Sequence, residues 1–206
     1  MANRYPELTF TDTVRRFQEQ SGSRTSYARL EEGPTTNAVL GPREAAFIAA
    51  RESLFMATVS QTGWPYVQHR GGPAGFVRVL DATTIGFADF RGNRQYISVG
   101  NLAEDDRVAL IFVDHATRQR LKLLGRARRV AATDTALLAR LEVADYRARV
   151  ERGIVIAIEA FDWNCPQHIP LLYSAAETEG LVAPLHARIA ELEARLAEAG
   201  AGVPAG

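Results

Sequence analysis

The chain has 206 residues, and its Lys+Arg and Asp+Glu counts are equal at 24. That length suits one large domain with terminal extensions, and the balanced charge gives no global field for nucleic acid or a membrane surface, so neither is expected as a partner. The lone cysteine, Cys165, excludes an internal disulfide framework and a cysteine-rich zinc site, and no metal is expected. The first thirty residues lack a secretory apolar core and no stretch nears about 18 apolar residues, which makes the expected address cytoplasmic.

Residues 1–40 read as a polar N-terminal arm with a short helix around Thr11–Gln20, where Val14 and Phe17 share a face. Ser21–Ala38, with its Gly, Ser, Thr and Pro, reads as an extended arm or loop. A main domain is expected over 41–176. Pro42 is placed to start a helix running to about Arg51. Strand signals follow at Ser53–Ser60 and Trp64–Arg70, around the turn Gln61-Thr62-Gly63, and at Gly75–Leu80 and Thr84–Ala88, around Asp81-Ala82-Thr83. A helical stretch over Arg94–Glu104 precedes the apolar strand Arg107–Val113. Arg118–Val130 is a long strand with a break expected at Gly125. A helix near Thr133–Arg140 and a last strand, Gly153–Phe161, complete the set. Seven strands, mostly joined as hairpins with short helices between, predict a mainly β (α+β) antiparallel barrel. Over 177–206, Leu185, Ile189, Leu192 and Leu196 mark an amphipathic helix with Pro184 at its first position and an apolar seam suited to a dimer contact or to its own barrel.

Four blocks carry chemistry. Gln68-His69-Arg70-Gly71-Gly72-Pro73 ends a strand in two glycines, which would let a flat ligand approach the backbone, although a barrel corner explains them as well. Arg91-Gly92-Asn93-Arg94-Gln95 sets guanidinium and amide donors ahead of a helix and suits an anion; a solvated turn is the plain alternative. Gln119-Arg120-Leu121-Lys122 sends Arg120 and Lys122 to one strand face, as an ordinary solvent-facing strand would. Asp162 to Pro170, leaving the last strand, offers an indole, amides, Cys165 and His168. No third ligand lies nearby, and a buried, inert thiol is the expectation for Cys165.

Taken together, SLFMATVSQTGWPYVQHRGG, ADFRGNRQYISVGNLAEDDRVALIF, RLKLLGRARRV and DWNCPQHI resemble the pyridoxamine 5′-phosphate oxidase-like FMN-binding split barrels across Pro42–Pro170. The resemblance implies a homodimer with FMN in a cleft at the subunit interface. Gln68, His69, Arg70, Gly71 and Gly72 would run along the isoalloxazine and ribityl chain. Arg94, with Asn93 and Gln95, matches the phosphate-gripping loop. Arg120 falls near the flavin's polar edge, and Trp163 matches an aromatic beside the cofactor. The implied activity is an FMN-dependent oxidoreductase acting on a small-molecule substrate or electron donor that the sequence does not identify, with no assigned catalytic acid or base. The Arg-Leu-His-Asp-Arg-like substrate segment of the true oxidase is missing and Pro73 replaces its basic residue, so pyridoxamine phosphate oxidation is not expected. A haem-binding or haem-degrading split barrel, a deazaflavin-dependent reductase and a non-catalytic flavin binder are the alternatives.

Overall fold

The computed structural model describes residues 3–32 and 35–201. Contacts group them into two compact units, one of residues 3–32, 35–114 and 119–167 and one of 115–118 with 168–201. Neither unit contains a helix, among the described residues, long and apolar enough to cross a membrane.

Polar side chains start the N-terminal helices of the first unit. The Asn3 side-chain oxygen accepts from the Tyr5 amide to open α1 (Arg4–Thr9), and the Thr11 hydroxyl accepts from Val14 N–H to open α2 (Asp12–Gln20). Ser21–Ala38, expected as a loop, instead contains α3 (Arg24–Ala28) and a 3-10 turn at Arg29–Glu31. Tertiary contacts override the loop-like composition there. Glu31 accepts from both Arg15 and Arg24, which hold its carboxyl below the usual range, and the Tyr27 ring meets Phe10 edge-on. Pro42 opens α4 (Pro42–Ala49) as expected, with the Glu44 carboxylate reaching back 3.0 Å to the Gly41 N–H.

Seven strands follow: β1 (Ser53–Val59), β2 (Pro65–Gly71), β3 (Val77–Asp81), β4 (Thr84–Phe90), β5 (Arg107–Asp114), β6 (Gln119–Val130) and β7 (Val150–Asn164). They form one antiparallel sheet in the order β2-β1-β5-β6-β7-β4-β3. The β3–β4 turn is held by the Asp81 carboxylate, which accepts from the Thr83 amide and hydroxyl and is stabilised as an anion by doing so. The sheet is not closed, yet it curls. Met56, Leu110, Phe112, Leu121, Leu123, Ile154, Ile156, Phe87 and Phe76 lie in one buried cluster, which a flat sheet could not assemble. The fold is therefore mainly β within α+β, consistent with a split barrel.

The break expected at Gly125 is a β-bulge. Leu124 pairs with Ala160 and Gly125 with Ile158, which leaves Glu159 as the extra residue on β7. A Cβ on Gly125 would stand 2.5 Å from the Ala157 carbonyl oxygen, so only glycine fits. Beyond the bulge the inward phase of β7 changes from Ile154, Ile156 and Ile158 to Phe161 and Trp163. On the other side of the sheet, Leu138 and Leu141 of α6 (Thr135–Leu141) cover Ala88, Val130 and Val155.

The outer faces of β1, β2 and β5 remain apolar and open. Strand register aligns Phe55 with His69 and Ile111, and Ala57 with Val67 and Ala109; Phe55 is 47% and Val67 61% exposed. In the second unit, the helix starts at Ala175 rather than at Pro184. Ser174 and Glu177 exchange side-chain and backbone hydrogen bonds in a capping box, and α7 (Ala175–Ala201) runs through the proline. Leu185, Ile189, Leu192 and Leu196 on it are all exposed.

Candidate functional site

The site is built around the loop that joins β4 to α5 (Ile97–Glu104). The helix was expected from Arg94, but Arg94 and Tyr96 both adopt left-handed backbone (φ 62° and 54°), so helical geometry begins only at Ile97. The buried Asn101 amide donates to the Thr58 hydroxyl at 2.9 Å, which anchors α5 to β1 and places the preceding loop against edge strand β2. The result is a cavity of about 200 Å³. Gln68, Arg70, Asn93, Arg94 and Gln95 line it, together with Tyr66, Asp89, Tyr96 and Glu151.

Strand alternation decides which members of the first block reach it. Gln68 and Arg70 share a face with Tyr66 and enter the cavity. His69 leaves on the opposite face, where its ring meets Phe55 edge-on with centroids 5.3 Å apart. Gly71 ends the strand with its Cβ position 3.4 Å from the Glu52 carbonyl oxygen. At Gly72 that position is 2.7 Å from Phe76 Cβ, so this glycine admits a core phenylalanine to the backbone.

Three guanidiniums converge on two carboxylates around the cavity, and a fourth reaches one of them through a tyrosine hydroxyl. Arg70 and Arg152 both pair with buried Asp89, the latter at 3.4 Å, and Arg70 also lies over the Phe87 ring at 5.9 Å. Glu151 accepts from Arg152 at 2.9 Å, faces Arg91 at 3.7 Å and accepts from the Tyr96 hydroxyl at 3.3 Å. Arg94 Nε in turn donates to the Tyr96 oxygen at 3.3 Å, an interaction that raises the Arg94 pKa. Burial pushes the Glu151 carboxyl up. The hydrogen bonds from Arg152 and Tyr96 and the charges of Arg152 and Arg91 outweigh it and hold the group below the usual range. It is a carboxylate at neutral pH. With Arg91 and Arg152, which pair with the lining carboxylates without lining the cavity themselves, positive charge is in excess by two, and the buried Nε of Arg70 has no hydrogen-bond acceptor among the described residues. A spare buried donor and this surrounding charge suit a phosphate.

Arg120 and Trp163 are not among the residues lining this cavity. Arg120 pairs in register with Val113 and Asn164, its buried Nε without an acceptor among the described residues. Trp163 donates its indole N–H to Glu44 at 2.7 Å, packs edge-on against Phe47 and carries the Arg43 guanidinium 4.0 Å above its ring. Cys165, expected to be buried, is instead exposed, just past the end of β7.

Sequence reading overlooked Asp89 and Glu151, although both carboxylates organise the site. Asp89 did carry a signal: it is a charged residue on the inward face of the otherwise apolar strand β4. Glu151 carried none, because its partners Arg91 and Tyr96 lie more than fifty residues earlier and meet it only through the β4–β7 pairing.

A family model described as pyridoxamine 5′-phosphate oxidase matches residues 40–162. Among solved structures, similarity is found to a pyridoxamine 5′-phosphate oxidase-like protein of Lactobacillus delbrueckii at 20% identity over 62% of this chain and 95% of that one, with TM-score 0.47. An FMN-binding protein of Syntrophomonas wolfei matches at 13% identity over 75% and 96% of the two chains, with TM-score 0.46. HutZ of Vibrio cholerae, a haem storage protein, matches at 16% identity over 60% and 94%, with TM-score 0.42. What those three bind is a property of theirs. No curated protein matches the chain.

Proposed function

Because the chain belongs to the pyridoxamine 5′-phosphate oxidase family, we propose that it is an FMN-binding flavoprotein, active as a cytoplasmic homodimer in oxidoreduction of a small molecule. One observation carries the proposal: Gln68, Arg70, Asn93, Arg94 and Gln95, from segments more than twenty residues apart, line one cavity. Arg94 and Arg70 would neutralise the phosphate, and Asn93 and Gln95 would add amide donors. Gln68 would orient the chain between phosphate and ring. Arg120, should the family pattern bring it to the flavin's N1 and C2=O edge, would favour the anionic reduced form and raise its potential. Bound FMN would itself supply the hydride and electron transfer.

The second subunit is supported by size and by surface. About 200 Å³ falls short of the roughly 300–1,000 Å³ of ligand pockets, so the ring would need walls from elsewhere. The open row of Phe55, Val67 and Ile111 offers an apolar face that a second copy would cover, and the exposed stripe on α7 offers another. Haem is the less favoured reading, since His69 turns away from the cavity while two arginines turn in.

The test is to identify the small molecule released when the purified protein is denatured and to titrate the protein free of it with FMN. FMN on release and saturable binding are expected. A Soret band in place of flavin absorption, or folded protein that does not bind FMN, would overturn the reading.

A further inference from the structure

We propose that Glu151 is the cavity's own counter-anion, which holds the Arg91–Tyr96 loop through Tyr96 in the absence of ligand and thereby sets how tightly a phosphate is kept. The inference rests on the FMN reading and goes on to name a residue that opposes binding.

The two carboxylates at the cavity differ in their surroundings. Asp89 is locked between Arg70 and Arg152, and its side chain is 8% exposed, in keeping with a structural ion pair. Glu151 faces the cavity and engages the loop itself. Its oxygen takes the Tyr96 hydroxyl, and that hydroxyl takes Arg94 Nε, the donor best placed for a phosphate. Arg94 and Tyr96 hold left-handed backbone, so their positions depend on such contacts. A phosphate that takes Arg94 Nε must draw it away from Tyr96, and any phosphate in the cavity comes near a carboxylate of like charge. Both effects weaken binding. They also keep the guanidiniums from facing one another uncompensated in the ligand-free protein.

The discriminating variant is Glu151→Gln, which keeps the shape and the Tyr96 acceptor but removes the charge. Full-length protein freed of ligand is titrated by calorimetry with FMN, riboflavin and inorganic phosphate. Glu151→Gln should bind FMN and inorganic phosphate about tenfold more tightly, the effect of one nearby charge at roughly 1.4 kcal/mol, with riboflavin changed less than twofold. Glu151→Asp, which keeps the charge and withdraws it by one methylene, should fall between the Glu151→Gln variant and wild type and covers the case in which the first variant does not fold. Unchanged or weaker FMN binding by the folded variant, or an equal shift for riboflavin, overturns the inference. If neither protein binds FMN but the variant gains affinity for inorganic phosphate, the FMN reading fails while Glu151 keeps this role.

Discussion

Two arginine-rich regions of the first unit show opposite states of saturation. Around Trp163, the Glu44 carboxylate takes the indole N–H and the Gly41 N–H, and Arg43 covers the ring. The donors of that helix start are answered within one chain. Around Asp89 and Glu151, Arg70, Arg91 and Arg152 share two carboxylates, Arg94 is bonded to the Tyr96 hydroxyl, the buried Nε of Arg70 has no acceptor among the described residues, and the adjoining loop carries two left-handed residues. Burying polar groups without partners is costly, so a region that retains them is better suited to receive a ligand than to stabilise the fold.

The contrast can be broken at either region. Replacing Asp89 by Ala should have the largest effect, because Arg70 and Arg152 lose a buried partner. A loss of about 3 kcal/mol in chemical denaturation and a failure to retain FMN are expected. Next, Arg94→Ala should leave the denaturation midpoint unchanged while weakening FMN by about ten- to a hundredfold, roughly 1.5–3 kcal/mol, and riboflavin much less. Equal losses for both ligands in parallel titrations would remove Arg94 from the phosphate. Glu44→Ala should cost about 1–2 kcal/mol of stability through the lost Trp163 bond and helix cap, with FMN affinity changed less than threefold. A larger loss of FMN would draw the Trp163 region into the site.

The smallest effect concerns a carboxyl away from both regions. Asp105 is held at about 2 by hydrogen bonds from the Arg107 side chain and backbone, below its ordinary 3.8. Its contribution is present above the ordinary value and lost as pH falls through the folded one. The melting difference between wild type and Asp105→Asn should therefore shrink between about pH 4 and pH 2 and be constant above pH 5.

These effects fall unevenly on what could be read from the sequence. Alternation and turn residues made the seven strands and the break at Gly125 legible, since both follow from local chemistry. The start of α7 was placed at Pro184 because proline favours a first turn, although the Ser174–Glu177 capping pair ten residues earlier is the stronger signal. The phosphate loop was legible as a block of donors, but its left-handed residues were not, because non-glycine residues carry no mark of them. Period-two alternation, applied to 68–72, already separates Gln68 and Arg70 from His69. The carboxylates that organise the cavity depend on strand pairing across sixty residues, which no local pattern conveys.

The bulge at Glu159 makes this one place in β7 indifferent to length. The side chain points outward to Arg126, so another residue could stand in its place with modest loss. The position itself could also go. With Ile158 followed directly by Ala160, the pairs Gly125–Ile158 and Leu124–Ala160 become successive rungs, and period-two alternation carries Ile158, Phe161 and Trp163 inward without interruption. What deletion would take away is the local bend of the strand and its added twist. A gap at 159 should therefore flatten the sheet locally and keep the same side chains buried, whereas a gap at Asp162 would turn Trp163 outward.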